Sequence, residues 1–219
     1  MVLPTCWIAA AFIGGPKTLT DARGVWQSSI ARDRVQGPAT LKLRGFVGDQ
    51  ATQPYHGSPD LAVCIHALSH YAFWNTTLQM TLQPGAVGEN LTFDGWDDHT
   101  ICVGDVLQIG TARIQISAPR SPCENQARHV GRADWVKLTI QELRTGIFAR
   151  VLTPGTLQAG DVVTLEERPN PNTFQIRAFG VLTKDQGRRT KGVNSAFVIR
   201  RSSFVWAVCP YLKGIGSKF

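Results

Sequence analysis

The fold of this chain is decided by the stretch Thr111-Ala-Arg-Ile-Gln-Ile-Ser117, which runs directly into Ala118-Pro119-Arg120-Ser121-Pro122-Cys123. Its apolar members, Ala112, Ile114 and Ile116, alternate with polar side chains, which is the period of a half-buried β-strand. We expect the two prolines to end the strand after Ser117, because proline lacks an N–H and fixes its own φ. A cysteine on a stiff turn beside an arginine can react as a thiolate, and a buried structural cysteine is the alternative that these residues leave open.

Glycine and proline divide the first 170 residues into many short apolar runs, the pattern of a β-barrel or sandwich. Strands are predicted near 6–13, 40–44, 61–66, 89–93, 101–103, 105–109, 111–117, 147–152 and 162–167. Apolar residues at helical spacing predict two helices, near 67–80 and 133–144. The fold class is therefore mostly β, a barrel or sandwich with a few packed helices.

The cysteines are five in number and scattered: Cys6, Cys64, Cys102, Cys123 and Cys209. They form no C-x-x-C pair, so the sequence suggests neither a zinc ribbon nor an iron–sulfur centre. Free thiols in this pattern are typical of a reducing compartment. The apolar first fifteen residues precede the first lysine, Lys17, and are too short to span a bilayer. They predict a first barrel strand, and with no longer apolar segment elsewhere we expect a cytoplasmic protein without a membrane partner.

The net charge of +7 is concentrated in the C-terminal tail. Residues 173–219 carry nine Lys or Arg and one acid, a net +8, whereas the preceding 172 residues carry a net −1. A neutral body does not favour a nucleic-acid partner, which would have to bind through the tail. The domain division is therefore 1–172 as the barrel and 173–219 as an irregular basic tail. The tail is predicted to be disordered or non-native, and a shifted reading frame or a lineage-specific extension would each explain it.

Five motifs occur in the order seen in MOSC domains, which are named for the C-terminal domain of molybdenum-cofactor sulfurase. They are Gly48-Asp49, Tyr55-His56-Gly57, Pro84-Gly85-Ala86-Val87-Gly88-Glu89-Asn90-Leu91-Thr92, Cys102-Val103-Gly104-Asp105 and Pro119-Arg120-Ser121-Pro122-Cys123. From Asn125 to Gly155 the chain resembles the stand-alone bacterial, YiiM-like branch of the family. The likeness covers about residues 8–170.

The resemblance implies a MOSC-type β-barrel whose cysteine either ligates molybdenum in a pterin cofactor or carries transferable sulfur as a persulfide. YiiM-like members resemble molybdenum enzymes that reduce N-hydroxylated compounds, including N-hydroxylated purines. The leading expectation is thus a molybdenum-dependent oxidoreductase with an N-hydroxylated small-molecule substrate, and the alternative is a sulfur-carrier protein. Pyridoxal phosphate, sometimes associated with MOSC proteins, is not expected because the chain is too short for the separate domain holding its lysine.

The residues of these motifs suit such a cofactor. A dithiolene-held molybdenum needs one soft protein ligand, which the thiolate of Cys123 can supply. Arg120 and Arg128 can pair with the pterin phosphate, although a strand-end arginine more often braces a turn. The remaining candidates are Asn90 and Asn125 as readers of the pterin edges, His56 as a proton donor or loop brace, and Glu89 as a support of the loop. We expect these loops to meet at the mouth of the barrel.

Three further expectations complete the sequence interpretation. His66 and His70 lie four residues apart but lack the further ligands of a zinc site, so a structural role is favoured. Cys64 and Cys102 lie in apolar runs and are expected in the core, with Asp49 capping a turn. Because no flavin, haem or iron–sulfur motif is present, electrons would have to come from a separate flavin or iron–sulfur protein.

Overall fold

The mostly-β fold predicted from the sequence is confirmed by a computed structural model that describes residues 5–52, 57–96 and 100–169. The strands are β1 (Cys6–Ile13), β2 (Lys17–Asp21), β3 (Gly24–Ser28), β4 (Asp33–Arg34), β5 (Ala39–Lys42), β6 (Gly45–Phe46), β7 (Val63–Ala67), β8 (Leu91–Asp94), β9 (Val106–Ile109), β10 (Ala112–Pro119), β11 (Ile147–Thr153), β12 (Gly155–Leu157) and β13 (Val162–Glu167). The helices are α1 (Leu68–Leu78), α2 (Glu124–Val130) and α3 (Trp135–Gln141), with a short 3-10 helix at Pro59–Leu61.

Seven strands close into a barrel in the order β1-β13-β9-β10-β11-β7-β8, and β8 pairs back with β1. All neighbours are antiparallel except β7 and β8, which run parallel and are joined through α1. Closure leaves the barrel without a free sheet edge along these strands, which removes a site for unwanted strand pairing. The hairpin β2–β3 is a separate two-stranded sheet, and β12, β5 and β6 form another.

The inside of the barrel is filled by alternate residues of its strands. Ala112, Ile114 and Ile116 of β10 are all at most 2% exposed, as their alternation predicts. On β7 and β11 the same core contains Val63, Ile65, Ile147 and Ala149. The residues between them therefore face outward, because successive side chains of a strand point to opposite sides.

A second, smaller core lies among the three helices. Tyr71 and Trp74 of α1 meet Ala127 of α2 and Trp135 of α3, and the two tryptophan ring centroids lie 5.0 Å apart. The helices of this core are joined to the barrel by the outward-facing side of β7 and β8. The molecule thus has an outer flank, formed by the outer faces of β7, β8 and β11, that is partly covered by helices.

Several predicted boundaries of strands and helices differ from those in the structure. The ladder of β10 does not stop at Ser117, since Pro119 still pairs with Ile147, after a register shift between Ile116 and Ala118. A proline is tolerated there because it follows this irregularity, and the next bond between the two strands comes from the Arg120 N–H to Gly146 O. No strand forms at 101–103, where the backbone N–H of Cys102 instead donates to Asp105 Oδ2. The predicted helices are shorter than expected, at 68–78 and 135–141.

Five strands and one α-helix were not predicted from the sequence. The missed strands, β2, β3, β4, β6 and β12, are two to five residues long, and none contains a sustained apolar run. Helix α2 has only seven residues and is stabilised by its contacts with α1 and α3 rather than by its own length. Within the described ranges, no helix is long and apolar enough to cross a membrane. The predicted tail 173–219 lies outside the described residues, so the domain division stays a prediction.

Candidate functional site

A cavity of about 300 Å³ lies on the outer flank of the barrel. Its floor includes Cys64 of β7 and Phe148 of β11, which pair in register and alternate with inward core residues. Its walls include Gly88 and Asn90 on one side and the segment from Arg120 to Cys123 on another. The motif loops thus converge, as predicted, but beside the barrel and not at its mouth, because large apolar side chains fill the interior.

Cys123 stands at the start of helix α2. Its φ and ψ of −133° and 169° are extended, and its carbonyl accepts the backbone N–H groups of Gln126 and Ala127 at 3.0 and 3.2 Å. The side chain of an N-cap residue usually accepts such a bond, but the thiol of Cys123 does not. The thiol is therefore left for the cavity, which it lines in a half-buried position.

Glu89 supports the loop that precedes β8 but does not line the cavity. Its side chain is fully buried, and Oε1 accepts hydrogen bonds from Tyr71 Oη at 2.6 Å, the Gly85 N–H at 2.8 Å and Thr92 Oγ1 at 2.8 Å. The burial of Tyr71, together with this carboxylate charge, holds the Tyr71 pKa well above its ordinary value, so the phenol stays a donor. Glu89 thereby fixes the loop carrying Gly88 and Asn90.

Gly88 needs its lack of a side chain. Its φ is 72°, and an added Cβ would lie 2.4 Å from Ile30 Cγ1. Only glycine occupies this left-handed conformation without strain, and only glycine allows Ile30 to approach the loop so closely. The close contact forms one corner of the cavity, since both residues line it.

Asn90 lines the cavity, yet its amide is engaged within the protein. Oδ1 accepts the Cys64 N–H at 3.0 Å, while Nδ2 donates to Phe12 O at 3.3 Å and to Asp49 Oδ2 at 3.1 Å. Both hydrogens of the amide are therefore used. Asn90 locks β1, β7 and the Asp49 loop together, a role the sequence did not reveal.

The most extensive ionic contact at the cavity joins Arg32 to Asp49 and was not predicted from the sequence. Arg32 donates from Nε and Nη2 to the two oxygens of Asp49 at 2.7 and 3.0 Å, and from Nη1 to Gly88 O at 2.8 Å. Burial alone would lower the pKa of Arg32, but the hydrogen bonds and charge of Asp49 outweigh it and raise that pKa. Asp49 therefore does more than cap a turn. Arg32 sits in a short charged run that reads as surface, so no sequence signal would have found it.

Arg120 reaches the cavity from the end of β10. Its backbone N–H donates to Gly146 O at 2.8 Å, and its Nη2 lies 3.5 Å from Gly88 O. Its Nη1 is buried and has no hydrogen-bond partner among the described residues. Arg44, also on the cavity wall, is exposed. These two cations are the cavity arginines that the structure leaves able to meet an anionic ligand.

Arg128 is not among the residues that line the cavity. Its Nε and Nη2 donate to Asp21 at 2.6 and 2.8 Å, and its guanidinium lies 4.4 Å from the Trp26 ring centroid. The hydrogen bond from Arg128 lowers the pKa of Asp21 to about 2. The structure thus joins Arg128 to the hairpin β2–β3 and does not bring it together with Cys123 in the cavity.

Cys64 belongs to the cavity floor as well as to the core. Its thiol is 4% exposed, and burial raises its pKa although the charges of Arg120 and Arg32 oppose that shift. The expectation of a plain core residue was therefore incomplete. Cys102 is buried, as predicted.

The histidine pair is buried against α1. The ring centroids of His66 and His70 lie 4.8 Å apart, and burial, followed by the charges of His70, Arg120 and Arg144, lowers the pKa of His66 well below 6.5. Across the described part of the chain, no group of three or more His, Cys, Asp or Glu is placed to hold a metal ion. His66 also contacts the ring of Tyr71, and the structural role of the pair stays a prediction.

Two predicted site residues remain, Asn125 and His56. Asn125, the second residue of α2, lines the cavity, and its side chain makes no hydrogen bond among the described residues. His56 lies outside the described residues, although its neighbour Gly57 lines the cavity. Its role as a proton donor stays a prediction.

Several known proteins are similar to this chain in sequence and in fold. The family model of the MOSC domain matches residues 52–164. The chain belongs to the MOSC domain family. It is 34% identical over 156 residues to protein YiiM of Escherichia coli, with 69% of each chain covered. It is 32% identical over 148 residues to a protein of Gibberella moniliformis named Reductase, covering 66% of this chain and 26% of that one.

A solved structure agrees with this assignment. The crystal structure of YiiM from Geobacillus stearothermophilus matches with a TM-score of 0.69 at 25% identity, covering 84% of this chain and 86% of that one. The chain is therefore a YiiM-like member of the MOSC family, as the motifs indicated.

The described residues fit the molybdenum cofactor with which MOSC domains are associated. The cavity offers one half-buried thiol at Cys123 as a soft ligand. It also offers a free amide at Asn125, the hydroxyls of Ser28 and Ser29, and the cations of Arg44 and Arg120. Amides and hydroxyls suit the edges of a pterin, and guanidinium groups suit its phosphate.

Proposed function

We propose that this MOSC protein is a molybdenum-cofactor-dependent reductase of N-hydroxylated compounds, with Cys123 as the protein ligand of the metal. The observation that carries the proposal is the state of Cys123, the cavity thiol that is half-buried and makes no capping hydrogen bond. The family's association with the molybdenum cofactor and the relative named Reductase support the same chemistry.

The cofactor, when bound, would supply the two-electron reduction that converts R–NHOH, two electrons and two protons into R–NH₂ and water. Cys123 would hold the metal as a thiolate, while Asn125 would orient the pterin through its unused amide. Arg44 and Arg120 would pair with the phosphate, in place of the Arg120 and Arg128 pair expected from the sequence. Asn90 and Glu89 would act as supports, because their polar groups are spent on the surrounding loops.

Two requirements of the reaction are met outside the described residues or outside the chain. Protons must reach the substrate nitrogen and oxygen, and His56 remains the predicted donor. Electrons would come from a separate flavin or iron–sulfur protein. The described cavity is open on the flank of the barrel, which would let both a small substrate and a partner reach it.

The test is elemental analysis of protein made in cells able to synthesise the cofactor. We expect molybdenum and pterin fluorescence in the wild-type protein and the loss of both in Cys123→Ser, because an alkoxide is a harder ligand than a thiolate. Reduction of an amidoxime by the loaded protein with a chemical electron donor should disappear in the same variant.

The matched control is Cys102→Ser, which changes a buried thiol that does not line the cavity. It should retain the metal in whatever fraction remains folded. Cyanide-labile sulfur without molybdenum would favour the sulfur-carrier alternative instead. Full metal content in Cys123→Ser would refute the ligand assignment, and the likeness would then indicate fold without this function.

A further inference from the structure

The hairpin β2–β3 forms a sheet of its own beside the cavity. Its strands pair with each other from Lys17↔Ser28 to Asp21↔Gly24. A lone two-stranded hairpin is at best marginally stable in water. Most of its residues are at least partly exposed, and Val25 is 72% exposed. Its position must therefore come from contacts made by its tip and its base.

The base of the hairpin is part of the cavity wall. Ser28, Ser29 and Ile30 all line the cavity. The Ser29 N–H donates to Thr52 Oγ1 at 2.9 Å, and the two hydroxyls lie 3.0 Å apart. Any movement of the hairpin would consequently change the width of the cavity.

The tip of the hairpin is tied to the helix that begins at Cys123. Asp21 accepts two hydrogen bonds from Arg128, and Arg23 forms an ion pair with Glu124, the residue directly after Cys123. Trp26 lies under the Arg128 guanidinium, a geometry that adds a cation–π attraction. The side chains of Asp21 and Arg128 are only 22% and 18% exposed, which limits screening by solvent.

We propose that Asp21 and Arg128 are positioning residues that latch this hairpin to α2, and that the latch sets the access of large ligands to Cys123. The latch joins the hairpin, whose base lines the cavity, to the last turn of the helix that begins at Cys123. With the latch closed, Cys123 is held at the wall and the cavity keeps its narrow form. With the latch open, the hairpin is left with its base contacts, and a bulky ligand gains entry.

The inference rests on the proposed function only for its purpose, which is to admit and then enclose a bulky cofactor. Its test uses cofactor-free protein, so it does not depend on molybdenum. The rate of Cys123 modification is measured by mass spectrometry on the full chain, once with iodoacetamide and once with a bulky fluorescent maleimide.

We expect Asp21→Asn to raise the maleimide rate roughly two- to fivefold, the factor that corresponds to the loss of one partly exposed ion pair. The iodoacetamide rate should change less, because a small reagent already fits the cavity. Asp21→Glu, which keeps the charge, should remain close to wild type.

The matched control is Arg113→Ala, which removes ion pairs to Glu166 and Glu167 at the far end of β10 and should leave both rates unchanged. If Asp21→Asn fails to fold, Arg23→Gln breaks only the outer ion pair and should give a smaller increase of the same kind. Equal maleimide rates in wild type and the folded variants would overturn the proposal. An equal increase in Arg113→Ala would overturn it too, since general loosening would then explain the effect. If protein made in cells able to synthesise the cofactor contains no molybdenum, the proposed function is refuted. The effect of the latch on the modification of Cys123 would still stand.

Discussion

The two faces of strand β7 have different roles, although their residues alternate along a single five-residue strand. Val63 and Ile65 point into the barrel and are at most 2% exposed, as part of a core that also holds Ile147 and Ala149 of β11. Cys64 faces the cavity and His66 faces the helices. The inner face is apolar and serves stability, whereas the outer face carries polar and reactive groups. Substitutions on the inner face should therefore change stability alone, and those on the outer side should change the cavity as well.

The largest effect is expected from Arg32, which serves the outer side and the fold together. Arg32→Ala leaves the carboxylate of Asp49 without its ion pair, in a site where both side chains are only 13% exposed. Loss of one partner of a buried pair should lower the free energy of unfolding by about 3–5 kcal/mol. Urea titration measures this, and Arg32→Leu combined with Asp49→Asn should cost less than the single change. A single-variant loss no greater than that of an exposed pair would contradict this account.

On the inner face, Ile65→Ala should lower the free energy of unfolding by about 2–5 kcal/mol, because it leaves a hole in a packed barrel. The outward neighbour Cys64→Ala should cost only about 1 kcal/mol, a typical value for one substitution. Cys64→Ala should nevertheless alter maleimide access to Cys123, since it widens the cavity floor, and Ile65→Ala should not. If the two variants shift the same measurement in the same way, the faces are not independent.

Glu89 tests the outer side away from the cavity. Glu89→Ala removes the acceptor of three hydrogen bonds, two of them from buried donors, and should cost at least about 2 kcal/mol. Glu89→Gln keeps a carbonyl oxygen for these donors and should cost less. Unfolding of both variants in urea distinguishes them, and equal losses would show that the charge of Glu89 matters more than its acceptor role.

The smallest expected effect is the pH dependence of the contact between Asp21 and Arg128. The folded pKa of Asp21 is about 2, against an ordinary value of 3.8, so the ionised form is favoured by folding. The stability that this carboxylate contributes is therefore complete above about pH 4 and is lost as the pH falls toward 2. The indole N–H resonance of Trp26, assigned with Trp26→Phe, should move in this window. Asp21→Asn should remove that movement, and a shift that persists in the variant would assign it to another group.

Much of the barrel was predictable because alternation is a local property. Strands β1, β10 and β13 lie close to their predicted positions, and helices α1 and α3 were found from their apolar spacing. The hairpin β2–β3 was missed because its tip is held by α2, and α2 was missed because it is short and depends on packing against α1 and α3. Asp21, Arg23 and Trp26 are ordinary polar or aromatic residues until Arg128 and Glu124 lie opposite them.

The sequence by itself determined the mostly-β class, the order of the motifs and the choice of Cys123 as the thiol to examine. Those depend on side-chain period, turn residues and motif spacing, which are readable along the chain. Only the tertiary structure decided that the cavity lies on the flank of the barrel, that Arg32 and Cys64 belong to it and that Arg128 does not. The reason is physical: β7 is buried on both faces, so its sequence cannot show which residues point inward, and an ion pair between residues 107 positions apart has no local signature.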